Sequence, residues 1–381
     1  MPSFIHTGDL HLGRPFRRLG ALGKEIRKAQ FRTLTNIVDA VKQTRSNFLV
    51  VAGDLFDTNS VSIRLVKDVL SCFASIAPVP VYIQPGTHDV FDSASVYRTI
   101  LNSNILPTNV TVIPEEASEF RPVPDVGLFA SANTTKRGGD RPLRRLSSLA
   151  SGSDARYKVA VIHGSVDVPG LSIDPHEPLV GQDEIASSPF QYVAMGHWHK
   201  RHIWSQGGTE AIYCGTPETL EFDEIPSPGT VTVVSLGDIV QAEERVVGTH
   251  KWVKVSLDLS LMPDANAIIH RANQEAGSRT LLRLELRGNL AGQDNWLDGL
   301  SVDDLVEAIG PNFFHAEIDA SRLVLHDPDP GEFPPNSIGR AFHEIMAEKI
   351  DEAQDPAEKE ILQEALRRGV LYLSGKAGIR P

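Results

Sequence analysis

"NFLVVAGDLFD" (47–57) is the stretch from which the fold is read. Its first six residues are a short β-prone apolar run. Its last five set Gly53, Asp54 and Asp57 directly behind that run. Other runs of the same kind recur over the first 245 or so residues: "SFIHT" (3–7), "VPVYIQ" (79–84), "YKVAVI" (157–162), "QYVAM" (191–195) and "EAIYC" (210–214). Between the first two runs in chain order, Leu34, Ile37, Val38 and Val41 recur at helical spacing. This alternation predicts an α/β domain in which helices cover a sheet core. "TVTVVSLG" (230–237) alternates more tightly and reads as antiparallel.

The texture changes near residue 250. "WVKVSLDLS", "TLLRLELRG" and "SRLVLHD" read as strands, "DANAIIHRANQEAG" and "SVDDLVEAIG" as helices, with Ser301 and Asp304 an expected N-terminal cap. A Pro-rich break, "HDPDPGEFPP" (326–335), precedes two amphipathic helices. Ile338, Phe342, Ile345 and Met346 are expected to form one stripe, and Ile361, Leu362, Ala365 and Leu366 another, with Asp355-Pro356 as the second helix's start. The domains expected are thus 1–248, 249–328 (a smaller α+β unit) and 329–381 (a helical tail).

A chain of 381 residues exceeds one ordinary core. No apolar run approaches the roughly 18–20 residues that span a bilayer. "MPSFIHTGDLHLG" does not read as a signal peptide, so a cytoplasmic protein without a membrane partner is expected. Two cysteines, Cys72 and Cys214, exclude a disulfide framework and a Cys-based zinc pattern. The net charge of −12 argues against broad non-specific affinity for nucleic acid. Two stretches run against it: 14–32 carries seven Lys or Arg against one Glu, and 136–145 five against one Asp. Either is a candidate phosphate-contacting patch, Arg17, Arg18, Arg27 and Lys28 in the first above all.

Five short motifs follow expected strands: "GDLHLG" (8–13), "GDLFD" (53–57), "GTHD" (86–89), "HGS" (163–165) and "GHWH" (196–199). In α/β sheets ligands bind beyond the carboxyl ends of strands, so motifs far apart in sequence can meet in one crevice. Asp9 and His11 are two apart, as are His197 and His199; in extended chain each pair points one way. Asp54 can bridge two ions with its two oxygens, and His163 adds a nitrogen. Mixed imidazole and carboxylate donors suit Mn, Fe or Zn better than Ca. A pair of such ions clamps a phosphoryl group for in-line attack by water. His6, His176 and His202 read as structural.

The order Asp-x-His, Gly-Asp-x-x-Asp, Gly-(Asn)-His-Asp, His, Gly-His-x-His resembles that of the calcineurin-like metallophosphoesterases. "GDLHLG" and "GDLFD" look like the SbcD-type branch, the DNA-repair nuclease subunits. The resemblance implies a two-sheet metallophosphoesterase sandwich with flanking helices, a smaller α+β cap and a helical tail. It implies two divalent ions, Mn first, with Mg, Fe or Zn as alternatives. Asp9, His11, Asp54 and His199 would hold one ion; Asp54, Thr87, His163 and His197 the other. His88 would act as general acid or transition-state stabiliser, oriented by Asp89, and Asp57 would support the ligands from behind. Thr87 departs from the family's Asn. Its hydroxyl is a shorter, poorer donor, so a working site with a weakened second position is expected, filled by Thr87 itself or by a water.

The function expected is a metal-dependent DNA nuclease that hydrolyses phosphodiesters, working in repair with an SbcC-type coiled-coil ATPase, and a two-fold dimer is a further expectation. Two alternatives stay open: a small-molecule phosphodiesterase or phosphatase, and a weakly active metal-binding scaffold subunit of an ATPase complex.

Overall fold

The structure is a computed structural model, and it describes residues 1–373 except 138–139, 169–172, 175, 225–226, 290–301 and 325–332. The chain divides into two compact units, Met1–Trp252 and Val253–Pro381. The expected boundary at 328/329, the first residues of the Pro-rich break and the Ser301 cap all lie outside the described residues.

In chain order the strands of the first unit are β1 (Ser3–Thr7), β2 (Phe48–Ala52), β3 (Val81–Gln84), β4 (Val110–Val112), β5 (Ser118–Val123), β6 (Val126–Ala130), β7 (Tyr157–His163), β8 (Ser165–Asp167), β9 (Leu179–Gly181), β10 (Tyr192–Gly196), β11 (His202–Gln206), β12 (Thr209–Tyr213), β13 (Thr230–Ser235) and β14 (Gln241–Val246). They build two six-stranded sheets, ordered β14-β13-β1-β2-β3-β4 and β11-β12-β10-β7-β6-β5, with β8-β9 as a separate parallel pair. β1 to β4 run parallel, as do β6, β7, β10 and β12. β13 pairs with β1 antiparallel, as its tighter alternation predicts.

The run at 48–52 explains the layering. Phe48, Val50 and Ala52 enter the core between the sheets with Phe4, Tyr82, Leu128, Val159, Val161, Tyr192 and Ala194. Leu49 and Val51 face the opposite way, into a core closed by helices α1 (Leu22–Thr44), α2 (Ile63–Ala74) and α3 (Val96–Asn102). A strand buried on both faces must be apolar throughout, which is why this one shows no alternation. The outer face of the second sheet is covered by α4 (Pro142–Ala150) and α5 (Gln182–Ala186). Helix, sheet, sheet and helix therefore stack as layers, in agreement with the expected sandwich.

At the division lies β15 (Lys251–Asp258); α6 (Ala265–Asn273), β16 (Gly277–Asn289), α7 (Val302–Ile309) and β17 (Phe313–Val324) follow. The three strands form one sheet, β15-β16-β17, over a small core of Val255, Leu257, Ile268, Leu282, Leu284 and Leu305. α8 (Ile338–Glu352) and α9 (Pro356–Leu373) pack on one another through Phe333, Phe342, Met346, Ile350, Leu362, Leu366 and Val370. The expected stripes split. Phe342, Met346, Leu362 and Leu366 turn inward, whereas Ile338, Ile345 and Ile361 are 80, 54 and 70% exposed. The inward row on α8 is 339, 342, 346 and 350, because Gly339 lets Phe333 lie against the helix: a Cβ there would sit 2.3 Å from its ring.

Candidate metal centre

All five motifs leave the carboxyl ends of parallel strands: β1, β2 and β3 of one sheet, β7 and β10 of the other. Backbone hydrogen bonds lock their loops together. Asp9 N–H donates to Gly53 O (3.1 Å), and His11 N–H to Asp54 O (3.0 Å). Behind them, the buried Gln30 of α1 donates its amide to the carbonyls of Leu10 and His11 (3.1 Å each). Close approach demands glycine. A Cβ on Gly86 would sit 2.2 Å from Asp54 Oδ1, and one on Gly196 only 1.8 Å from Ala52 O. Asp9, His11, Asp54 and His197 all have positive φ (51, 46, 50 and 105°). Left-handed backbone at four non-glycine residues is costly, roughly 1–3 kcal/mol for each sparsely populated conformer, and such strain gathers at functional sites.

These turns bring seven of the sequence-selected side chains together. His11 Nε2 lies 3.0 Å from His199 Nε2 and 3.8 Å from Asp54 Oδ2. His163 Nε2 lies 3.3 Å from Asp54 Oδ2, and its Nδ1 3.9 Å from Asp9 Oδ1. Asp9, His11 and His199 form one group with metal-ligand spacing, and Asp9, Asp54 and His163 another. Thr87 Oγ1 points into the second group, 3.3 Å from His163 Nε2 and 3.5 Å from both Asp54 Oδ2 and His197 Nδ1. Its hydroxyl thus lies among the candidate metal-holding side chains.

The outward nitrogens of His199, His197 and His163 meet oxygens at hydrogen-bond distance, while that of His11 faces a carboxylate without a hydrogen bond. His199 Nδ1 faces Glu224 Oε1 (2.7 Å), His197 Nε2 faces Glu177 Oε2 (3.2 Å), His163 Nδ1 donates to Ala52 O (2.9 Å), and His11 Nδ1 lies 3.4 Å from Asp57 Oδ1. An acceptor on one ring nitrogen fixes the tautomer that presents a lone pair on the other, the arrangement typical of metal-binding histidines. Glu177 and Glu224 carry no motif spacing, since they meet their partners only through tertiary structure.

Electrostatics fit a cation here. Asp9 and Asp54 are almost wholly buried. Burial alone would push the Asp54 carboxyl up, but His163, His11 and His88 outweigh it and hold the group well below the carboxylate range. Burial likewise pushes the His163 imidazolium down, yet Asp54 and Asp9 leave it raised to about 9. Burial and the neighbouring His163 hold the His197 imidazolium down, so that ring is left neutral, and the mixed oxygen and nitrogen donors suit a divalent transition ion.

His88 stands exposed at the rim, its backbone N–H donating to Asp54 Oδ1 (2.8 Å). Its ring is not held by Asp89, the expected orienter. Nδ1–H donates instead to the carbonyl of Asp57 (3.1 Å). Asp89 is fully buried and accepts from Gly86 N–H (2.8 Å), Phe56 N–H (3.0 Å) and Tyr97 O–H (2.6 Å). It clamps two motif loops together; burial and the nearby Asp54 raise its pKa to about 6.

Arg17 and Arg18 are exposed in a 3-10 turn just past the first motif, and Arg27 and Lys28 are exposed on α1. Arg27 donates to Pro15 O (2.7 Å), and Lys28 pairs with Glu25 (2.8 Å). The other basic stretch is counter-charged: Arg137 pairs with Asp174, Arg141 and Arg144 with Glu184, and Arg145 with Asp140.

A family model, that of the calcineurin-like phosphoesterases, matches residues 2–201. Among curated proteins, the uncharacterised metallophosphoesterase YhaO of Bacillus subtilis is 26% identical over 75% of this chain and 72% of its own. The DNA double-strand break repair protein Mre11 of Aeropyrum pernix is 26% identical over 79% of this chain and 72% of its own. The SbcD component of the nuclease SbcCD of Staphylococcus saprophyticus is 25% identical over 61% of this chain and 65% of its own.

Proposed function

Because the chain belongs to the calcineurin-like phosphoesterase family, whose members bind two divalent metals and hydrolyse phosphoesters, we propose that it is a DNA nuclease working in repair with a coiled-coil ATPase. The observation that carries the reading is the meeting of five strand-end motifs in one cluster, within a chain similar to Mre11 and to the SbcD component of the nuclease SbcCD.

Asp9, His11, Asp54 and His199 would hold one ion, and Asp54, Thr87, His163 and His197 the other. Bound there, the pair supplies Lewis-acid stabilisation of the phosphoryl oxygens and an activated water. Manganese is the proposed ion. His88 lies outside the ligand set. With Nδ1–H held by Asp57 O, Nε2 is the nitrogen left to pass a proton to the leaving oxygen, and burial, which lowers the imidazolium's pKa, makes it a readier proton donor when charged. Asp57 spans both tasks, through its carbonyl to His88 and its carboxylate beside His11. Arg17, Arg18, Arg27 and Lys28 grip the DNA backbone next to the first motif. The outer face of the α8–α9 hairpin, with Ile338, Ile345 and Ile361, docks the ATPase; three exposed isoleucines on one hairpin suit an anchor face. A cytoplasmic location belongs to the same reading.

The test is hydrolysis of labelled single- and double-stranded DNA in Mn or Mg, beside a chromogenic phosphodiester. DNA degradation that a chelator abolishes is expected. Turnover of the chromogenic ester alone would mark a small-molecule phosphodiesterase.

A further inference from the structure

Thr87 leaves the second ion position with a weaker donor than the other ligands provide, and the residue that meets this position from behind is Glu177. We propose that Glu177 is a positioning residue for the second ion, acting through His197 and making up for the short hydroxyl of Thr87. The proposal rests on the two-ion reading above and adds a determinant to it.

The geometry is specific. Glu177 Oε2 accepts from Ser165 Oγ–H (2.6 Å) and faces His197 Nε2 (3.2 Å). Ser165 Oγ in turn accepts from Trp198 Nε1–H (3.1 Å). The serine's single proton therefore goes to Glu177, and the carboxylate takes the His197 Nε2–H as well. That fixes the imidazole with its lone pair on Nδ1, the nitrogen turned toward Thr87. An anionic acceptor also raises the ring's donor strength toward a cation, where a carbonyl such as Ala52 O behind His163 does so less.

Glu177 is placed by backbone rather than by chance of a long side chain. Its N–H donates to Asp174 O (3.0 Å), and Ser165 N–H donates to the carbonyl of Pro178 (2.9 Å). β8 and β9 then pair in parallel from Ser165 and Leu179 onward. Gly164 permits the contact, since a Cβ there would lie 2.4 Å from Pro178 O.

The test is a calorimetric titration of the metal-free full chain with Mn(II), supported by the metal content of dialysed protein. The wild type should take up two ions. Glu177→Gln should bind the first as the wild type does and the second about 10–100-fold more weakly, the loss usual when a ligand's outer partner is removed. Its metal-free thermal midpoint should be unchanged. Adding Thr87→Asn to Glu177→Gln should restore much of the second affinity, as the Asn carbonyl replaces the weak donor. Equal weakening of both ions, wild-type binding in Glu177→Gln, or no recovery in the double variant would each overturn the role of Glu177. A wild type that takes up fewer than two ions would overturn the two-ion reading itself.

Discussion

Asp54 is the residue on which the site turns. Its Oδ2 faces both His11 and His163, while its Oδ1 accepts from the backbone N–H of His88. Asp54→Ala is expected to abolish hydrolysis of every phosphodiester and to lower bound metal, read by metal analysis beside a chromogenic assay. His88→Ala should keep its metal yet lose turnover by roughly 10²–10⁴-fold, the range of general acid catalysis; loss of metal there would contradict its role at the leaving group. Tyr97→Phe separates architecture from chemistry. It removes one donor from the buried Asp89 and should cost about 1–3 kcal/mol in urea unfolding. Asp54, His163 and the other motif residues were legible from residue type and from their place after strands. Tyr97, Gln30, Glu177 and Glu224 were not. Each meets the site across a tertiary contact, and none stands at a periodic or motif spacing. Asp89 shows the opposite error: the resemblance implied that it orients His88, but its side chain turns into the core.

Among the elements, strand ends position the motif residues, and the proposed partner contacts fall on helices. α1 leaves the first motif through exposed Arg17 and Arg18, and Arg27 and Lys28 continue along it. Replacing all four by Ala should weaken DNA binding and flatten its salt dependence by up to about 0.9 per lost phosphate contact, with a small ester still hydrolysed. Equal loss on both substrates would point to a damaged fold. The second basic stretch was indistinguishable from the first by composition; only the structure shows Glu184, Asp140 and Asp174 answering its arginines. In the α8–α9 hairpin, helical spacing located the helices but not their inner face. Rows three and four residues apart diverge around a helix, and which one is covered depends on the neighbour. Changing Ile338, Ile345 and Ile361 to Ser should leave metal binding and hydrolysis intact while a co-expressed SbcC-type ATPase no longer co-purifies. Retention of the ATPase would reassign that face.

For the whole molecule, the sandwich brings motifs from residue 9 to residue 199 into one cluster, so the candidate ligands are held by two sheets at once. Alternation of apolar runs with a helical pattern gave helices covering a sheet core, and the second sheet was expected from the family resemblance alone; only the structure shows the 48–52 strand covered on both faces. A net charge of −12 argues against broad affinity for nucleic acid, so the proposed nuclease reading requires local basic contacts. Any ion that binds only the folded chain stabilises it by mass action, about 2.7 kcal/mol at a free concentration of 100 Kd. Manganese should therefore raise the thermal midpoint and a chelator lower it, as a scan with and without each will show. On the proposed reading, the need of hydrolysis for both ions is decisive. It is tested most directly by measuring phosphodiester turnover against Mn bound per chain, starting from metal-free protein. Two-ion catalysis predicts little turnover at the first equivalent and a rise that follows the second. Full turnover with one ion bound, or any turnover in excess chelator, would contradict it.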